Sequence, residues 1–219
     1  MEGRVTRLER QKRRRQRVSV FLDDEYAFSL EELTAAALHL GQFLSEDDIR
    51  ELRRRDEVCR AQERALRLLE VRPRSRFELE QRLRRAGFEQ ATVEEALGRL
   101  ERVDLVDDDA FAQFWVEQRL AFRPRSRRAL RYELRRQGIS DEAAEGALEG
   151  VDDAEAAATL VEKHLERRDP GRDRESLREE LYALLRRRGF GYGTVKEVLN
   201  RLDLTWGEHD VLDHSIEDE

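Results

Sequence analysis

The chain has 219 residues, of which 39% are hydrophobic and 42% charged; ordinary globular domains run at about 45–50% and about 25%, so any core here is thin and divided among charged elements. A single cysteine, Cys59, excludes an intramolecular disulfide framework and points to a reducing compartment, and no apolar run reaches the length of a signal or a membrane span, so the expectation is a cytoplasmic chain. The formal net charge of −7 hides a gradient: residues 1–17 carry eight Lys/Arg and two acids, residues 203–219 seven acids and no Lys/Arg.

In chain order, residues 1–17 read as a basic flexible head, a solvated tail or a contact for nucleic acid. Residues 18–55 read as a β-hairpin plus short helices. Val18, Val20 and Leu22 alternate, the chain turns at Asp23–Glu25, and Tyr26, Phe28 and Leu30 alternate again. Ser29 with Glu32 predicts a short helix ending at Gly41, and Ser45 with Asp48 starts another. Residues 56–70 predict a further helix, with Ala61, Ala65, Leu66 and Leu69 apolar.

The pentapeptide RPRSR then occurs twice, at 72–76 and at 123–127. At that offset of 51 residues, Leu79, Leu83 and Gly87 fall on Leu130, Leu134 and Gly138, and again on Leu181, Leu185 and Gly189. Arg84-Arg85 falls on Arg135-Arg136 and Arg186-Arg187, and Leu97 on Leu148 and Leu199. A fixed period of this kind signifies stacked supersecondary units. In each unit Ser75 or Ser126 caps a helix that the glycine stops, and a second and third helix follow. The prediction is a mainly α protein of about three tandem three-helix modules, elongated and curved. RPRSR opens the first two modules, 56–122 with its preceding helix and 123–170, and a truncated third covers 171–203. Residues 204–219 form an acidic tail.

The residues also resemble a known family. "LERVDLVDDDAFAQFWVEQRL" from Leu100 to Leu120 places Asp107, Asp108, Phe111, Ala112 and Arg119 where RecX, the regulators of the RecA recombinase, carry the pattern "DD..FA......R". "ALRYELRRQGIS" is similar to that family's next helix and glycine stop, and the resemblance covers roughly residues 17–203. Arg123, Pro124 and Arg125 depart from it, standing where many members have Lys-Gly. The resemblance implies a chain that lies in the helical groove of a RecA filament and restrains its recombinase, ATPase and coprotease activities, with roles in DNA repair, recombination and the SOS response.

No constellation of catalytic residues emerges. His39, His164, His209 and His214 are scattered, Cys59 has no histidine near it in sequence, and there is no phosphate-binding GxxxxGK[ST] motif. His209 and His214 with Asp210 and Asp213 read as incidental rather than as a metal site, and Asp107–Asp109 as carboxylates favouring a helix start. The expectation is therefore no catalytic residue, no metal and no cofactor.

What remains is binding through repeated arginines. Arg72, Arg74, Arg76, Arg84 and Arg85 in the first module answer to Arg123, Arg125, Arg127, Arg128, Arg131, Arg135 and Arg136 in the second. Any one of these could pair with a neighbouring acid; as a set they suit a partner whose carboxylates or phosphates also repeat. The expected partners are the RecA filament and, weakly and without sequence preference, single- and double-stranded DNA, with the chain itself a monomer. Two other readings stay open: a helical DNA-binding transcriptional regulator and a helical scaffold with no nucleic-acid link.

Overall fold

The computed structural model describes residues 2–12, 16–166 and 173–213, with side chains through Leu202. It falls into two compact units, residues 1–107 and 108–219.

The first unit begins with a four-stranded antiparallel sheet. β1 (Gly3–Arg10) pairs with β2 (Arg17–Leu22), which pairs with β3 (Glu25–Glu31), and β4 (Phe43–Leu44) lies on the far side of β1, in the order β3-β2-β1-β4. The β2–β3 hairpin is the expected one. Asp23 and Asp24 have φ of 48° and 69°, the two left-handed residues that a tight turn matched to strand twist requires. The supposed flexible head is corrected over residues 3–10: Val5 is fully buried opposite Leu22, and Arg7 stacks its guanidinium 3.9 Å from the Phe21 ring.

The expected helix from Ser29 to Gly41 is also corrected. Ser29 belongs to β3, and the helix there, α1 (Glu32–Ala35), is only four residues long and starts at Glu31 without a side-chain cap.

α2 (Glu46–Leu69) is one continuous helix where two were expected. The capping box of Ser45 and Asp48 starts it as predicted. Its 24 residues span about 36 Å and serve two cores. Ile49 and Leu52 pack beneath the sheet with Val20, Leu22 and Leu30, while Val58, Ala61 and Ala65 pack with the helices that follow. Between these cores Asp56, 5% exposed, receives Arg17 at 3.0 and 3.1 Å and the Glu31 N–H at 2.6 Å, tying β2 and β3 to α2.

α3 (Arg76–Arg85) and α4 (Gln90–Glu101) complete a bundle with α2, whose core includes Leu79, Leu83, Val93 and Leu97. The second unit holds two more bundles. α5 (Asp108–Phe122), α6 (Arg127–Arg136) and α7 (Asp141–Ala147) enclose Phe111, Val116, Leu130, Leu134 and Leu148. α8 (Asp153–Leu165), α9 (Arg174–Arg187) and α10 (Tyr192–Asp213) enclose Leu160, Leu181, Leu185, Phe190 and Leu199.

The repeat is therefore present in three copies, but its phase differs from the sequence reading. The first two cores each close between one helix before RPRSR and two after it, so RPRSR joins the first and second helices of a module instead of opening one. The third module is complete, because α8 is its first helix. The acidic tail is helical through Asp213 as the end of α10.

The middle helices share one ending. Gly87, Gly138 and Gly189, with φ of 93°, 79° and 93°, each follow the helix cap. Their N–H groups donate to Arg84, Arg135 and Arg186, and those of Phe88, Ile139 and Phe190 to Leu83, Leu134 and Leu185, at 3.0 to 3.3 Å. This paired bonding closes the last carbonyls and folds an apolar residue back onto the buried leucine.

Candidate interaction surface

The two RPRSR segments are positioned by their serines. Ser75 and Ser126, both buried, accept hydrogen bonds from the N–H groups of Glu78 and Ala129 and so fix the first turns of α3 and α6. The predicted N-caps are both present. The arginines around them divide into two classes.

In the first segment the arginines converge on acids of their own unit. Arg72 reaches both oxygens of Glu78 at 2.7 and 2.8 Å, Arg82 reaches it at 3.1 Å, and Arg74 bonds it as well. Burial alone would raise the Glu78 carboxyl, but these guanidiniums outweigh it and hold Glu78 below the ordinary carboxylate range. Arg74 is 7% exposed and also donates to the Leu68 carbonyl at 2.9 Å, so it is part of the fold. Arg76 pairs with Glu101 at 2.7 Å, and Arg84 bonds Gln90 at 2.8 Å.

In the second segment Arg125 pairs with Glu133 at 2.9 Å, and Glu133 also receives Arg119 at 2.7 Å and the Trp115 indole at 2.9 Å. Arg127 donates its N–H to Asp153 at 2.6 Å and its guanidinium to Glu145 at 3.1 Å. Arg131 also bonds Glu145, and Arg135 bonds Asp141 at 2.6 Å. Those pairings set both acids below their ordinary range, chiefly through Arg131 on Glu145 and Arg135 on Asp141.

Of the twelve predicted arginines, Arg85, Arg123, Arg128 and Arg136 are exposed and carry no side-chain hydrogen bond or ion pair among the described residues. They sit on α3, the α5–α6 loop and α6. Of the residues that motif spacing singled out, Phe111 and Ala112 are buried in the core, Arg119 lies 4.2 Å above Trp115, and Asp107 is exposed.

Reasoning from sequence missed the acids at the centre, Glu78 and Glu133, which no local spacing separates from the many other acids. It also missed Arg187 and Arg188, which lie at the end of α9 outside any RPRSR.

Elsewhere, burial raises the Cys59 thiol above its ordinary range, the opposite of an activated nucleophile. His164 is taken by Glu180 at 3.0 Å. Among the described residues no three His, Cys, Asp or Glu side chains are grouped to hold a metal ion, and the side chains of His209 and His214 lie outside them. Among the described residues, too, no helix is long and apolar enough to cross a membrane.

Three family models match along the chain: the Regulatory protein RecX N-terminal domain over residues 3–42, the RecX first three-helix domain over 61–100, and the RecX second three-helix domain over 107–148. The two three-helix matches have the phase seen in the cores, taking in the helix before RPRSR.

A Regulatory protein RecX of Amycolatopsis mediterranei is 37% identical over 174 residues, covering 77% of this chain and 98% of that one. Another, of Clostridium botulinum (strain Alaska E43), is 27% identical over 203 residues, covering 90% and 95%. Among solved structures, a regulatory protein RecX superposes with a TM-score of 0.71 at 25% identity, covering 90% of this chain and 99% of that one. RecX from Lactobacillus salivarius superposes at 0.57 and 26% identity, covering 68% and 98%. With matching models over more than half its length, the same order of domains and the same fold, the chain belongs to the RecX family of regulatory proteins.

Proposed function

We propose that this chain binds the RecA recombinase filament in its helical groove and inhibits its recombinase, ATPase and coprotease activities by occupying it, without catalysis of its own. Membership of a regulatory family supports the reading, and the observation that carries it is the repetition of one three-helix unit with Arg85, Arg123, Arg128 and Arg136 left unpaired among the described residues. A filament offers the same acidic groups at regular intervals. Several modest contacts made by one folded chain raise the effective concentration of each next contact, so the filament is preferred over the free subunit. Repetition also separates this reading from a transcriptional regulator, which needs one reading helix per protomer.

Pelleting with RecA filaments on single-stranded DNA tests it. The parent chain is expected in the pellet, and reversal of Arg85, Arg128 and Arg136 to Glu is expected to leave it in the supernatant, because attraction becomes repulsion. Equal pelleting by both chains would remove these arginines as the docking surface; absence of the parent from the pellet would remove the reading.

A further inference from the structure

The third module departs from the repeat at one position. After the paired arginines the first two copies have Ala86 and Gln137, and the third has Arg188. Arg188 caps α9, is partly buried, and accepts the Ser126 N–H on its carbonyl at 3.2 Å. A Cβ at Gly189 would stand 2.8 Å from Ser126 Oγ, so the α5–α6 loop is pressed against this helix stop.

That contact gathers Arg123, Arg125 and Arg187 around Arg188; burial first, then repulsion from Arg125, Arg123 and Arg187, weaken its hold on its proton. Glu133 answers Arg125. Arg123, Arg187 and Arg188 have no side-chain partner among the described residues. A helix C-terminus favours a nearby cation, but that attraction does not account for several crowded together.

Two features stand beside the cluster. Phe122, next to Arg123, is 72% exposed, and Lys163 bonds the carbonyl of Ala121.

We propose that Arg123, Arg187 and Arg188, with Phe122 at their edge, bind a single-stranded nucleic acid, the guanidiniums holding successive phosphates and the ring stacking on a base. Guanidinium forks match phosphate oxygens bidentately, and exposed aromatic rings beside positive charge form the platform on which unpaired bases stack. An acidic protein segment would use the arginines and leave the ring idle. A duplex would keep its bases from the ring.

The inference shares Arg123 with the filament reading but is tested without RecA, on variants of Arg187, Arg188 and Phe122.

The experiment is fluorescence anisotropy of a labelled oligothymidylate with the full chain over a salt series. The Arg187→Ala/Arg188→Ala double variant is expected to bind at least about tenfold more weakly, with a log–log salt slope shallower by about 1.4, two phosphates at about 0.7 each. Phe122→Ala is expected to lose about tenfold with the slope unchanged, because stacking releases no counterions. Arg187→Lys/Arg188→Lys is expected to keep the parent slope, which reads the charge alone should the alanine variant not fold.

Parent-like affinity and slope in the alanine double variant would overturn the site. So would displacement of the strand by oligoglutamate as effectively as by unlabelled oligothymidylate at equal charge, which would reassign the cluster to an acidic protein partner.

Discussion

Gly87 and Gly189 end equivalent helices with the same φ of 93°, yet their surroundings differ. A Cβ at Gly87 meets nothing within 4 Å among the described residues; one at Gly189 falls 2.8 Å from Ser126 Oγ and 2.9 Å from Ala129 Cβ. Gly87→Ala should therefore cost only the left-handed backbone penalty of about 1–2 kcal/mol. Gly189→Ala should cost about 1 kcal/mol more, because Ser126 must surrender its cap or Ala129 must move. Urea unfolding followed by circular dichroism gives the comparison, and equal losses would contradict the close packing at Ser126. The glycine stops were legible in the sequence because a helix can end this way at little cost only on a residue without Cβ; the crowding at one of them was not, since Ser126 and Gly189 are 63 positions apart.

A second residue-scale expectation concerns Glu31, whose carboxyl is raised from 4.5 to about 7 by its hydrogen bond with Glu63, then by burial and by repulsion from Glu63 and Asp56, with Cys59 pulling the other way. The fold holds this proton more tightly than the unfolded chain does. Its contribution to stability is thus complete below the ordinary carboxylate value and is lost as pH rises through about 7. Glu31→Gln, which needs no proton, should gain in melting temperature over the parent between pH ~5 and pH ~8. A gain that is the same at both values would show that Glu31 does not titrate in this range.

At the scale of elements, α2 joins the sheet to the first helical module, and Asp56 holds the junction. Asp56→Ala would leave the Glu31 N–H without its acceptor and the partly buried Arg17 charge with only the neutral oxygens of Ser29, and should destabilise the chain by about 3 kcal/mol. A loss below about 1 kcal/mol in urea unfolding would contradict that role. The sequence did not disclose this helix as one piece because RRRDE at 53–57 looks like a solvated break, yet its aspartate faces inward. β1 was hidden for a related reason. Its register shifts between Val5 and Arg7, which destroys the simple alternation, and its arginines lie on an exposed face.

The RPRSR joints belong to this scale too. Arg125→Ala removes one of three groups from Glu133 and should lower stability measurably, whereas Arg128→Ala should change it by no more than about 0.5 kcal/mol, having no partner among the described residues. A melting curve on each variant separates fold-forming from outward-facing arginines, and equal shifts would contradict the division.

At the scale of the whole molecule, the period of 51 residues was readable because leucines and glycines recur where a buried face and a helix stop demand them. Its phase was not: an offset is the same wherever a repeat is taken to begin, and only the cores decide it. The candidate surface followed the same pattern. The repeated arginines were visible as letters, but which of them face acids of their own module depends on how α3 and α6 pack. Seven of the twelve bond such acids and Arg84 bonds Gln90, which leaves four without a side-chain partner among the described residues.

The central claim is that these modules act together on a RecA filament. The direct measurement is the rate of ATP hydrolysis by RecA on single-stranded DNA while this protein is added in increasing amounts. The rate should fall progressively, and the chain with Arg85, Arg128 and Arg136 reversed to Glu should leave it near its starting value while melting like the parent. A rate that the parent chain does not alter at any ratio to RecA would contradict the account.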